Sequence, residues 1–279
     1  MPGIYILASP GAGAILIAGR MSGEEFAEWL ECIAPNGEAV LALKSAVDES
    51  GSHDDAALLC VAFCITTSTQ WRKFEREWAD IRILPPGVRH YHAKDRRCDR
   101  LSDQLAGLMQ RRMERIVAIT IHEREYKALD SPRFRSFAGD AYALAIQAGL
   151  YHIHRWLWKA ANQRIAYVLE SGHKGQPAAD KFLTLVGDTP FLRAKLRFLS
   201  HTWLPKGELV LDPPDLMSHE ISTAGGRDTS PRVRRMGGIV VIHHLSIEEL
   251  REAQQVVEAG FRERSGRRQK RKLRRYRDV

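Results

Sequence analysis

Two apolar stretches near the start of the chain are separated by only a short polar segment. The first covers most of residues 39–47, and the second covers residues 57–65. The segment between them, residues 50–55, is too short to contain a crossover helix. Two strands joined in this way pair antiparallel, so the sequence predicts a β-hairpin at the beginning of a sheet.

Helical and strand-like segments alternate after this hairpin. A helix capped by Ser68 carries Trp71, Phe74 and Trp78 on one face and ends before Pro85. Further helices are predicted over residues 101–113, 137–162, 178–186 and 246–260, and further strands over residues 116–121, 165–169, 196–199, 208–211 and 238–243. Strands that are separated by helices of this length are typically parallel. The sequence therefore predicts an α/β fold with a mixed sheet flanked by helices, with the antiparallel hairpin first and parallel strands after it.

The last segment of the chain carries all of the net positive charge. Residues 262–279 contain ten Lys or Arg and two acids, which leaves 32 of the 42 bases and 32 of the 34 acids for the rest. Such a block of like charge repels itself and favours an anionic partner, and contacts to phosphates release counterions. A solubilising tail without a specific partner is the alternative. We expect binding to nucleic acid, DNA or RNA, through Arg267, Arg268, Lys270, Arg271, Lys272, Arg274 and Arg275.

Length and composition indicate one globular domain with an appendage at each end. The chain has 279 residues, of which 44% are hydrophobic and 27% charged. We expect a partly disordered N-terminal appendage over residues 1–37, an α/β domain over residues 38–260 and a basic tail over residues 261–279. No apolar run approaches the ~20 residues that a membrane span needs. The start lacks a secretion signal, so we expect no membrane contact and a cytoplasmic location. Gly11-Ala12-Gly13 lacks the Lys and Ser or Thr of a phosphate loop, which predicts no nucleotide cofactor.

Three acids lie at the ends of three separate predicted elements. Asp48 and Glu170 each lie at the carboxyl end of a strand, and Asp215 lies at the start of a helix that begins with Pro213 and Pro214. Neighbouring parallel strands bring their carboxyl ends to one edge of a sheet, and a helix packed there can add a third carboxylate. Carboxylates clustered without His or Cys favour Mg²⁺ or Mn²⁺. Any one of these acids could instead be an ordinary turn former or helix cap.

The order of four short motifs resembles a known family. The motifs are Val47-Asp48-Glu49-Ser50-Gly51, Tyr91-His92-Ala93-Lys94-Asp95, Tyr167-Val168-Leu169-Glu170-Ser171-Gly172 and Pro214-Asp215-Leu216. They are similar to the family catalogued as domain of unknown function 3800, which is regarded as ribonuclease-H-like in fold. The resemblance covers residues 39–223. It departs from the family at the last motif, where the usual Leu-Gln-x-Ala-Asp-Leu reads Leu211-Asp212-Pro213-Pro214-Asp215-Leu216.

This resemblance implies a ribonuclease-H-like fold and a metal-dependent nuclease or phosphodiesterase. By position, Asp48, Glu170 and Asp215 would be the catalytic acids that hold the metal, and Glu49 would be a supplementary ligand or a supporting acid. His92 and Lys94 could contact substrate phosphate or transfer a proton. Two alternatives remain open at this point. The first is a non-catalytic nucleic-acid-binding protein with a degenerate ribonuclease-H-like site, and the second is a component of a defence or toxin-type system.

Overall fold

The computed structural model describes residues 4–7, 15–18, 42–51, 57–129, 131–159 and 163–259 of the chain. Within the predicted N-terminal appendage, these residues form two short antiparallel strands, β1 (Ile4–Leu7) and β2 (Ile15–Ala18). The rest of that appendage and the predicted basic tail lie outside the described residues. The three predicted acids of the site all lie inside them.

A six-stranded mixed sheet forms the centre of the domain. Its strands are β3 (Ala42–Ser50), β4 (Leu58–Thr67), β5 (Arg115–His122), β6 (Arg164–Glu170), β7 (Phe198–Leu204) and β8 (Val240–Leu245). Their order across the sheet is β7-β6-β3-β4-β5-β8. β4 pairs antiparallel with both β3 and β5. The other three pairs of neighbouring strands are parallel, namely β3 with β6, β6 with β7, and β5 with β8. Five of the six strands of this sheet therefore run in one direction and β4 runs in the other.

These pairings confirm the predicted α/β fold with a mixed sheet that begins with an antiparallel hairpin and continues with parallel strands. The pairing of β5 with β4 differs from the parallel pairing that is typical of strands separated by helices. β5 follows two helices and nevertheless pairs antiparallel with β4, on the side of β4 that faces away from β3.

Helices cover both faces of the sheet. They are α1 (Ser68–Ile81), α2 (Asp99–Arg112), α3 (Glu123–Lys127), α4 (Pro132–Ala138), α5 (Ala141–Trp156), α6 (Gln176–Asp188), α7 (Pro190–Lys195), α8 (Asp212–Thr223), α9 (Pro231–Met236) and α10 (247–259). α5, α6 and α10 share one apolar core with Val47 of β3. α1, α2, α8 and α9 share a second core with Ala46, on the opposite face. Among the described helices, none is long and apolar enough to cross a membrane.

The first helix confirms the predicted apolar stripe. Trp71, Phe74 and Trp78 are fully buried against the sheet, as their spacing predicts. The N-cap is Thr67 rather than Ser68, because the Thr67 side chain accepts a hydrogen bond from the backbone N–H of Gln70 at 3.3 Å.

The long helix predicted over residues 137–162 is two helices, α4 and α5. Gly139 interrupts the helical path with φ at +81°, a conformation that glycine adopts without steric strain. Asp140 then caps α5 by accepting a hydrogen bond from the backbone N–H of Ala143 at 2.8 Å. The last three residues of the predicted helix, 160–162, lie outside the described residues.

Two strands that were predicted between residues 196 and 211 were also placed wrongly. The strand predicted over residues 196–199 is β7, which starts later and continues to Leu204. The segment predicted as a strand over residues 208–211 contains a 3₁₀ turn, Leu209–Leu211, that leads into α8. The side chains of Val210 and Leu211 are buried there without joining the sheet, which explains why an apolar run resembled a strand.

Candidate active site

Strands β3 and β6 bring two of the predicted acids to the same edge of the sheet. They are parallel neighbours, and Val47 pairs with Leu169. The next residues, Asp48 and Glu170, therefore lie side by side. Both side chains leave the sheet on the face that α8 covers, because Ala46, two residues before Asp48, lies in the core on that face. Both acids belong to their strands, which extend slightly further than predicted.

Helix α8 supplies the third predicted acid. Pro213 and Pro214 lie in its first turn, as predicted, and Asp215 follows them. Oδ2 of Asp215 accepts a hydrogen bond from the backbone N–H of Ala93 at 2.9 Å. The same oxygen lies 3.3 Å from Nδ1 of His92. That distance allows electrostatic attraction, although the ring geometry is not that of a hydrogen bond and Nδ1 has no such partner among the described residues.

A buried carboxylate anchors the start of α8. Oδ2 of Asp212 accepts a hydrogen bond from the indole N–H of Trp78 at 2.7 Å and lies 2.7 Å from Nε of Arg82. Burial raises the pKa of Asp212 to about 7, although Arg82 and Trp78 oppose this change. Because Asp212 is three residues before Asp215, these contacts set the position from which Asp215 extends.

One open cleft of about 530 Å³ gathers the predicted site residues. It is lined by the acids Asp48, Glu49, Glu170 and Asp215 and by the predicted supporting residues His92 and Lys94. The structure therefore brings to one place the acids and supporting residues from four separate sequence motifs. The predicted nucleic-acid-binding residues of the tail, 267–275, lie outside the described residues.

The carboxylates in this cleft are close enough to affect one another's protonation. Asp48 is only 3% exposed. Burial raises its pKa well above the usual value, and the nearby charges of Glu49, Glu170 and Asp215 raise it further. A hydrogen bond from the backbone N–H of Glu49 to Oδ1 of Asp48, at 2.8 Å, opposes the increase. Repulsion of this kind is what a bound cation relieves.

Glu49 also lines the cleft, although successive residues of a strand point to opposite faces of the sheet. Val47 lies in the core beneath α5, so Glu49 leaves β3 on that opposite face. It is the penultimate residue of β3, where a long side chain can reach the edge of the sheet. Burial raises the pKa of Glu49 to about 7. Its Oε2 atom is buried and has no hydrogen-bond partner among the described residues.

Lys206 also lines the cleft and was not predicted from the sequence. It follows β7, which is parallel to β6, and its Nζ lies 3.4 Å from Oε1 of Glu170. Although partial burial lowers the pKa of Lys206, the carboxylates of Glu170, Asp48 and Asp215 raise it above the usual value. The available signal was its place just beyond a strand, because the ends of parallel neighbours meet at one edge. His122 and His219 line the same cleft and were also missed.

The donor chemistry of the cleft suits a hard divalent cation, because four carboxylates converge there and Oε2 of Glu49 lacks a partner. The acids do not form a ready-made ligand cage. Among the described residues, no group of three or more His, Cys, Asp or Glu side chains is arranged so that it could hold a metal ion. Asp215 is bonded to the N–H of Ala93, and Glu170 contacts Lys206. Enclosing a cation would therefore require the carboxylates to move closer together, or to use oxygens other than Oδ2 of Asp215 and Oε1 of Glu170.

No protein-family model and no curated protein matches the chain, so the resemblance to domain of unknown function 3800 stays a prediction. Several solved chains are similar to this one. A chain of the PCNA:RNase HII complex from Archaeoglobus fulgidus is 12% identical with a TM-score of 0.32, and the match covers 69% of this chain and 85% of that chain. Bst-RNase HIII in complex with Mn²⁺ is 16% identical with a TM-score of 0.40, and the match covers 80% of this chain and 70% of that chain. Likeness this low transfers no residue role or activity, and the fold class rests on the strand order of the sheet itself.

Proposed function

We propose that this protein is a metal-dependent nuclease or related phosphodiesterase that acts on nucleic acid. The observation that carries the proposal is the cleft in which Asp48, Glu170 and Asp215 come from three different elements and act electrostatically on one another. Buried acids that lie close together repel one another when they ionise, and this repulsion opposes folding. Such an arrangement is typical of a functional site rather than of packing.

Asp48, Glu170 and Asp215 would hold Mg²⁺ or Mn²⁺, with Glu49 as an additional carboxylate. These residues would hold the ion where it would supply polarisation of the phosphodiester and activation of a water molecule for attack. Lys94 and Lys206 line the same cleft, where their ammonium groups attract substrate phosphates.

His92 is suited to handling a proton in this reaction. Its ring is 27% exposed and lies within 3.3 Å of Asp215, so it is both accessible from the cleft and held near the acids. A histidine in this position can give a proton to the leaving oxygen. The basic tail over residues 262–279 would add sequence-independent contacts to the phosphates of DNA or RNA.

Cleavage assays on the purified full chain test the proposal. Labelled single-stranded and double-stranded DNA, single-stranded RNA and an RNA–DNA hybrid are incubated with Mg²⁺, with Mn²⁺ or with EDTA. We expect products only with a divalent ion, and a decrease of more than about a hundredfold in Asp48→Asn and Asp215→Asn, beyond what loss of a merely supporting residue causes. Asp180→Asn is the matched control, because Asp180 does not line the cleft. The proposal fails if no substrate is cut, or if Asp48→Asn cuts as fast as the wild type.

A non-catalytic nucleic-acid-binding protein is the second candidate, and two observations favour it. Asp215 is bonded to the backbone N–H of Ala93, and the described residues contain no preassembled metal cluster. This candidate predicts binding that persists in EDTA and in Asp215→Asn, but that disappears when residues 262–279 are removed. Its affinity for double-stranded DNA should fall with salt, with a logarithmic slope of about 0.9 for each phosphate contacted. Fluorescence anisotropy across a salt series measures both effects.

A further inference from the structure

We propose that His173 is a positioning residue that holds Glu49 at the edge of the cleft for cation binding. This inference rests on the proposed metal-dependent function. His173 lies in the loop between β6 and α6, three residues after Glu170. Its ring contacts the backbone of Gly175, the ring of Tyr142 and the carboxylate of Glu49. Neither the acid motifs nor the family resemblance indicated this residue.

The backbone determines which ring nitrogen of His173 carries the proton. Nδ1 accepts a hydrogen bond from the N–H of Gly175 at 2.8 Å. A nitrogen that accepts a hydrogen bond carries no proton, so the proton of the neutral ring is on Nε2. A Cβ atom at position 175 would lie 2.5 Å from Oδ2 of Asp140, so a larger residue there would displace that carboxylate. The hydrogen bond from Gly175 therefore sets the tautomer.

Tyr142 determines the orientation of the His173 ring. The centroids of the two rings are 4.1 Å apart, with an angle of 36° between the ring planes. Tyr142 is buried in the first turn of α5, the helix that packs across the central strands. The ring of His173 thus lies against a part of the fold that is fixed to the sheet, and its Nε2–H has a defined direction.

That direction leads to Glu49. Nε2 of His173 lies 3.6 Å from Oε1 of Glu49, and the two side chains are only 11% and 10% exposed. The distance is longer than a hydrogen bond, so the two groups face each other across an electrostatic contact between largely buried side chains. His173 thus engages one oxygen of Glu49. The other oxygen, Oε2, is buried and has no partner among the described residues, so it is the donor that Glu49 offers to a cation.

Groups that hold a ligating side chain in one orientation increase the affinity for the metal, and losing them typically weakens binding 10–100-fold. Calorimetric titration of the full chain with Mn²⁺ at pH 7.5 measures this effect. His173→Phe keeps a ring beside Tyr142 but cannot donate to Glu49, and it should weaken Mn²⁺ binding about tenfold. His173→Gln keeps a donor near the position of Nε2 and should restore most of the affinity.

His201→Phe is the matched control. His201 contacts the carboxylate of Asp180 at 3.0 Å, and neither residue lines the cleft. The variant therefore removes a histidine–carboxylate pair of the same kind elsewhere on the sheet, and it should bind Mn²⁺ as the wild type does. His173→Asn serves as a second test if His173→Phe does not fold, because the shorter amide cannot reach Glu49.

A double-mutant cycle identifies the residue through which His173 acts. In a Glu49→Gln background, His173→Phe should change the Mn²⁺ affinity less than about twofold, because the two effects are not independent. The inference is overturned if folded His173→Phe or His173→Asn binds Mn²⁺ as tightly as the wild type, or if the tenfold loss persists in the Glu49→Gln background. A wild-type protein that binds no Mn²⁺ would overturn the proposed function together with the inference, whereas the other two outcomes overturn the inference alone.

Discussion

Replacing Glu49 with glutamine should stabilise the protein at neutral pH and leave its stability nearly unchanged at low pH. Burial raises the pKa of Glu49 in the folded chain to about 7, from an ordinary value of 4.5. The folded state therefore binds this proton more tightly than the unfolded state does. The resulting stabilisation is fully present below about pH 4.5 and is lost as the pH rises through about 7. Above that range the folded state contains a buried charge.

The magnitude follows from the two pKa values of Glu49. The difference between about 7 and 4.5 corresponds to about 3 kcal/mol of unfolding free energy. Glutamine has nearly the same shape and does not ionise. Glu49→Gln should therefore raise the free energy of unfolding by up to about 3 kcal/mol at pH 8 and by close to zero at pH 4.5.

Urea unfolding in EDTA, followed by circular dichroism from pH 4.5 to pH 8, measures this difference. Glu220→Gln is the matched control, because Glu220 is similarly buried but lies 2.6 Å from the guanidinium of Arg232. The same substitution should destabilise the protein there, since it removes one of the charged partners of Arg232. An effect of Glu49→Gln that is equal at pH 4.5 and pH 8, or that is destabilising at pH 8, would refute the reasoning.

Three further substitutions test individual contacts. Lys206→Met removes a cation that lies 3.4 Å from Glu170. It should slow cleavage about tenfold, which raises the activation free energy by about 1.4 kcal/mol, without weakening Mn²⁺ binding. Single-turnover assays measure the cleavage rate, and calorimetry measures the binding. Asp212→Ala should lower the unfolding free energy by about 3 kcal/mol, measured with urea, because it leaves Arg82 buried without its partner. Gly51→Ala should lower the melting temperature, with a loss of about 2 kcal/mol or more, because φ is +85° and the new Cβ would lie 2.0 Å from a carbonyl oxygen of β4. A Lys206→Met protein that cleaves at the wild-type rate would contradict the first expectation. An Asp212→Ala protein with the wild-type urea midpoint, or a Gly51→Ala protein with the wild-type melting temperature, would contradict the other two.

The elements predicted correctly are those whose sequence signal is local. The hairpin of β3 and β4 and the buried strand β6 are apolar runs bounded by polar residues, and their burial agrees with that pattern. β7 lies at the edge of the sheet and is mostly half-buried, with the mixed sequence Phe-Leu-Ser-His-Thr-Trp-Leu. Its apolar signal is correspondingly weak, and its position was wrong.

The same contrast applies to the site. Asp48 and Glu170 could be placed together because parallel neighbours end at one edge of a sheet, and the prolines before Asp215 indicated a helix start. Lys206 was missed because its strand, β7, was misplaced. His173 could not have been found from sequence spacing, because its role depends on three contacts that only the folded loop creates.

The electrostatics of the cleft also distinguish the two proposed functions. Burial raises the pKa of both Asp48 and Glu49, so ionising them at neutral pH opposes folding. A protein that only bound nucleic acid through its basic tail would be more stable with neutral side chains of the same size in their place. In a nuclease, a divalent cation offsets this repulsion, and it competes with protons for the same oxygens. Mn²⁺ should therefore raise the urea midpoint of a nuclease much more at pH 7.5 than at pH 5. A midpoint that does not respond to Mn²⁺ at either pH would favour the non-catalytic binding protein.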